Sequence, residues 1–159
     1  MKSTQGLKEL NMRPIMLALS TFRKSDEAIR LAIEKAREGK NLIVLFVVDV
    51  NLARYLIGAD LSLFPELRES CEEEALKKYR KSGEELVKSI VQKSQQYGIE
   101  VKTKIETGRF ALTCLEVVKQ ENPECIVTTR SRRPEWVKRF FGSPVDYLIA
   151  NAGCSVIEA

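Results

Sequence analysis

The chain has no histidine among its 159 residues. That absence excludes Ser-His-Asp and Cys-His catalysis, histidine-bound metals and histidine pH switching. Any acid–base work falls to carboxylate, lysine, tyrosine or cysteine. Cysteine is scarce too: Cys71, Cys114, Cys125 and Cys154 show no metal-ligand or redox spacing. They read as small core hydrophobes in a reducing compartment. No Walker lysine follows a glycine-rich loop, no nucleophile has a base beside it, and no carboxylate cluster suggests a metal, so the expectation is a protein without enzymatic activity. No apolar run reaches the roughly 18 residues that a membrane helix needs. No signal peptide opens the chain, which leads to the expectation of a cytoplasmic protein. Charge of one sign is lacking as well. With 26 basic and 22 acidic residues the net charge is only +4, so bulk charge does not argue for nucleic acid.

What is present is a 44% apolar chain, sufficient for one domain with one well-buried core. Residues 1–13 are polar and unpatterned, and read as a flexible arm ahead of a single domain over 14–159. Pro14 to Leu19 and Leu42 to Val48 are short, nearly continuous apolar runs, the mark of strands covered on both faces. Between them Ser25 caps a helix that carries Asp26 and Glu27 in its first turn and an apolar stripe of Ala28, Ile29, Ala32, Ile33 and Ala36, and Gly39 ends it. Asn51 to Pro65 reads as a long connection with an apolar side. Ser70 and Glu73 make a capping box for a long helix whose inner face runs from Leu76 through Gly83 and Ile90 to Ser94.

The alternation in Ile99–Glu106 predicts a half-exposed edge strand guarded by charges. Gly108 leads to a third helix with Ala111, Leu115 and Val118 inward, ending before Pro123. Cys125 to Val127 is another central strand. A last helix has Ser143 as cap, Pro144 in first position and Val145, Leu148, Ile149 and Ala152 facing the sheet. Cys154 to Ile157 is the final strand. Strands alternating with helices imply an α/β fold, a mostly parallel open sheet with helices on both faces and the first strand central. Ligands of such sheets sit beyond the carboxyl ends of the strands, at the topological switch point. The candidate site is therefore the space near Ser20, Thr21, Val47, Thr129 and Gly142, with Arg130 and Arg132 of the basic loop and the cap Ser143 as further candidates beside it.

The loop entering the last helix is rich in arginine, where a phosphate cradle is usually rich in glycine. Arg130, Arg132 and Arg133 are either a bidentate phosphate clamp or a solvated basic loop with salt bridges. Trp136 and Phe140 stand four apart among these residues, which favours packing over stacking on bases and leaves nucleic acid a minor reading.

Ile15–Ser20 before an amphipathic helix, Phe46-Val47-Val48-Asp49, Thr107-Gly108, and Gly142-Ser143 followed by a helix and Cys154–Ile157 together resemble universal stress proteins, from about Pro14 onward. The resemblance implies a five-stranded, Rossmann-like sheet of order 3-2-1-4-5 and a homodimer paired through Cys154–Ile157. The family's nucleotide-binding members carry glycine, two residues, glycine, nine residues, then glycine with serine or threonine. Here Gly142-Ser143 match the end of that signature, while Thr129 and Arg132 stand at its first two glycines. Ser20 stands at the aspartate after the first strand, and Val47 at the residue whose backbone meets adenine. Glycines in such a loop let the main chain approach phosphate closely, and Thr129 and Arg132 do not. The implied protein is a stress-response or signalling dimer with weakened or lost ATP binding. The alternatives are an adenine-nucleotide sensor using Arg130, Arg132 and Gly142-Ser143 for the phosphates, and an anion or nucleic-acid binder acting through the basic loop 130–139.

Overall fold

The computed structural model describes residues 13–50, 65–130 and 143–159. The connection at 51–64 and the stretch 131–142, with Arg132, Arg133, Trp136, Phe140 and Gly142, lie outside the described residues. Among the described residues the elements follow in the order β1 (Ile15–Ser20), α1 (Asp26–Ala36), β2 (Leu42–Asp49), α2 (Pro65–Gln95), β3 (Val101–Gly108), α3 (Phe110–Glu121), β4 (Cys125–Thr128), α4 (Pro144–Asn151) and β5 (Ser155–Glu158).

All five strands pair in parallel, in the order β3-β2-β1-β4-β5. The register sets Ser20 beside Val47 and Val48 beside Thr107. Every residue of β1, β2 and β4 is buried, as expected of parallel strands covered on both faces. Their alternating side chains feed two cores. Leu17, Leu19, Val44 and Phe46 pack with α1 and α2 residues on one face, whereas Met16, Ala18, Leu45 and Val47 pack with α3 and α4 on the other. Helix α1 matches expectation: the Ser25 hydroxyl accepts from the Ala28 amide at 3.2 Å and the five stripe residues are buried. Arg13, at the end of the expected arm, donates to Asn122 and Pro123 carbonyls at 3.1 and 2.8 Å and so fastens to the α3–β4 turn. Asn122 closes α3 there with a left-handed backbone, φ 48°.

Several boundaries differ from the sequence expectation. Helix α2 begins at Pro65, not at Ser70. Proline is well suited to a helix's first position because it has no N–H to leave unpaired and its φ is already helical. Ser70 is thus inside the helix. Strand β3 is shifted from 99–106 to Val101–Gly108, since the Ile99 amide is taken by the Ser94 carbonyl at 3.2 Å as α2 ends. The fully buried face of α3 is Phe110, Cys114 and Val117, with Ala111, Leu115 and Val118 packed at its flank. Ile149 is 55% exposed, because an eight-residue α4 buries only the narrow stripe through Val145, Leu148 and Ala152. The last strand starts at Ser155, one residue later than expected.

Candidate functional site

In a sheet ordered 3-2-1-4-5 the connections change direction between β1 and β4, and the crevice outside their carboxyl ends is where ligands of open α/β sheets bind. The fold brings Ser20, Thr21, Val47 and Thr129 to this edge. Ser20 ends β1, Val47 is its register partner on β2, and Thr129 directly follows β4. Thr128 ties the two central strands across the switch point, its hydroxyl donating to the Ala18 carbonyl at 2.8 Å.

After β1 the chain reverses in a two-residue turn. Ser20 and Arg23 exchange both backbone hydrogen bonds, each 3.1 Å, with Thr21 and Phe22 at the corner. The turn sends neighbouring side chains to different places. Phe22 meets the Tyr79 ring of α2 edge-on at 5.9 Å. Arg23 is 2% exposed; its Nη1 donates to the Thr129 carbonyl at 3.2 Å, and its Cζ lies 4.6 Å from the centre of the Phe110 ring on α3. One buried guanidinium therefore joins the end of β1 to the end of β4. The Thr21 hydroxyl is also buried and makes no hydrogen bond among the described residues.

Arg23 and Phe110 were not legible as site residues. An arginine between an apolar strand and a helix cap reads as a surface loop residue, and no spacing signals its burial. The Arg130 Nε donates to the Glu158 carboxylate of β5 at 2.6 Å, in an ion pair that leaves the arginine side chain largely exposed. Ser143 serves as the expected cap, accepting from the Asp146 amide at 3.3 Å. Arg132 and Gly142 lie outside the described residues.

Ser20 is 1% exposed, Val47 is fully buried and Thr129 is 9% exposed. Ser20 also lacks the carboxylate whose charge roughly doubles the strength of a hydrogen bond to a ribose hydroxyl. Asp146 adds an acidic side chain to the first turn of α4, opposing an anion at that helix end. Burial within this core pushes the Cys114 thiol far above the usual range, and the nearby Arg23 charge offsets only part of that. Among the described residues, no group of carboxylates and cysteines is placed to hold a metal, and no helix is long and apolar enough to cross a membrane.

A model of the universal stress protein family matches residues 11–157. A search of curated proteins gave no match. Among solved structures, the universal stress protein UspA from Lactobacillus plantarum is 22% identical and superposes with a TM-score of 0.67 over 92% of this chain and 97% of its own. A universal stress protein in complex with cAMP is 10% identical, with a TM-score of 0.53 over 93% of this chain and 97% of its own. A family member from Arabidopsis thaliana with AMP bound is 15% identical, with a TM-score of 0.52 over 91% of this chain and 90% of its own. At these identities the likeness carries the fold.

Proposed function

The chain belongs to the universal stress protein family, and from that premise we propose that it acts as a non-enzymatic stress-response or signalling protein in the cytoplasm, working as a homodimer with a crevice that does not hold ATP. The observation that carries this reading is the burial of Ser20 and Val47, the positions that meet ribose and adenine in the family's nucleotide-binding members. A nucleotide has no exposed group to address at either position. The neutral Ser20 and the engagement of Arg130 by Glu158 support the same reading for the sugar and the phosphates.

The dimer is supported by β5. It is a four-residue strand at the edge of the sheet, its residues half-buried or exposed, and such an edge needs a partner or a cover. Light scattering at micromolar concentration should give twice the 18.1 kDa chain mass. A monomer there removes this part of the proposal.

A second reading, a sensor of adenine mononucleotides, is favoured by the AMP and cAMP held in two neighbouring structures, since neither ligand needs a triphosphate cradle. Native mass spectrometry of the freshly purified protein separates the two. The first reading expects the bare chain or its dimer, and a co-purified nucleotide mass would replace it by the second.

A further inference from the structure

Burying a guanidinium is costly unless its charge and its N–H groups are engaged, so a fully buried arginine needs a structural reason. Among the described contacts of Arg23, its backbone is held by the turn closed on Ser20, its Nη1 by the Thr129 carbonyl, and its planar face by the Phe110 ring. The first two anchors stand at the ends of β1 and β4, on either side of the switch point, and the third is at the start of α3. The side chain accordingly runs from the end of β1 to the end of β4, at the carboxyl edge where a small ligand of this sheet would enter. It also takes up the Thr129 main-chain oxygen and covers one face of the Phe110 ring.

We propose that Arg23 is a built-in plug of the switch-point crevice: its own side chain fills the space and satisfies the groups that an adenine nucleoside or mononucleotide would use. This rests on the reading above that the crevice does not hold a nucleotide, and it names the residue responsible. The guanidinium is held by a tight turn rather than by a long segment, so it is part of the fold and does not swing aside as a loop would.

The test compares the wild-type chain with Arg23→Ala by isothermal titration with adenosine and with AMP, after circular dichroism has established that the variant is folded. The expected result is no saturable heat for the wild type and binding by Arg23→Ala that is at least about tenfold tighter, a difference of at least about 1.4 kcal/mol. Should Arg23→Ala not fold, Arg23→Gln serves instead, because its shorter, neutral side chain also vacates the far end of the crevice. A folded variant that binds no better than a non-binding wild type overturns the plug and leaves the reading of a nucleotide-free protein standing. Saturable binding by the wild type overturns both.

Discussion

Replacing Gly83 by alanine should destabilise the protein, against the usual expectation for a glycine in mid-helix. A Cβ built on Gly83 would lie 2.4 Å from both Cδ1 and Cε1 of Phe46 and 3.0 Å from its Cγ. Phe46 is fully buried in the core between α2 and the sheet, so its ring has nowhere to go. Contacts between carbon atoms are comfortable only near 3.5–4.0 Å, as general packing geometry requires. The helix would therefore have to retreat by more than about 1 Å from β2, loosening the contacts that Val87 and Ile90 make below. Overpacking of this kind costs about 1–3 kcal/mol, and helix propensity returns about 1 kcal/mol on exchanging glycine for alanine. Because the obstructing atoms are ring carbons in a filled core, the cost belongs in the upper part of its range, leaving a net loss of about 1–2 kcal/mol. For a domain of this length that is a fall in Tm of roughly 2–8 °C. Urea denaturation of both proteins at equal concentration reads the difference directly. A double-mutant cycle with Phe46→Leu adds a second check, since removing the ring should recover about 1 kcal/mol of the Gly83→Ala loss as coupling. An unfolding midpoint equal to or above that of the wild type would refute the close seating of α2 on β2.

Other outcomes follow from the caps and from one carboxylate. Ser25→Ala and Ser143→Ala each remove an N-cap acceptor, and each should lower stability in urea by about 1 kcal/mol, with the longer 3.3 Å bond of Ser143 giving the smaller effect. Glu121 is hydrogen-bonded by Lys102 and lies 3.3 Å from the Lys104 ammonium, contacts that hold its carboxyl below the ordinary range, the Lys102 hydrogen bond foremost. Its stabilising share is then complete above the unfolded carboxylate pKa of about 4.3 and is lost as pH falls through the lower folded value. Glu121→Gln should therefore be less stable than the wild type at neutral pH, with the gap in urea midpoint closing as the solution is acidified. A gap independent of pH would show that the lysine contacts add nothing.

The sheet was legible because its central strands leave no doubt about their surroundings. Continuous apolar runs such as Ile15–Leu19 and Leu42–Val48 suit strands buried on both faces, and from their alternation with helices the parallel arrangement follows, whereas the full order of strands came from the family resemblance. Helix α1 was equally plain, because its cap, acidic first turn and stripe agree with one another. Legibility failed where two local signals competed. Ser70-x-x-Glu73 is a good capping box, but Pro65 is an earlier and equally good start, and the helix takes it. In α3, apolar residues occupy most of the circumference, so periodicity could not choose between the face of Ala111 and that of Phe110. The candidate site was half legible. Topology alone places Ser20, Val47 and Thr129 together, whereas the partners of Arg23 and Arg130 lie 106 and 28 residues away and leave no local trace.

The central claim is that this chain's own side chains occupy the crevice between β1 and β4, leaving no seat for ATP. Isothermal titration of the wild-type protein with ATP tests it most directly. No saturable heat is expected up to about millimolar ligand, which corresponds to less than about 4 kcal/mol of binding free energy. A 1:1 isotherm with submicromolar Kd would contradict it.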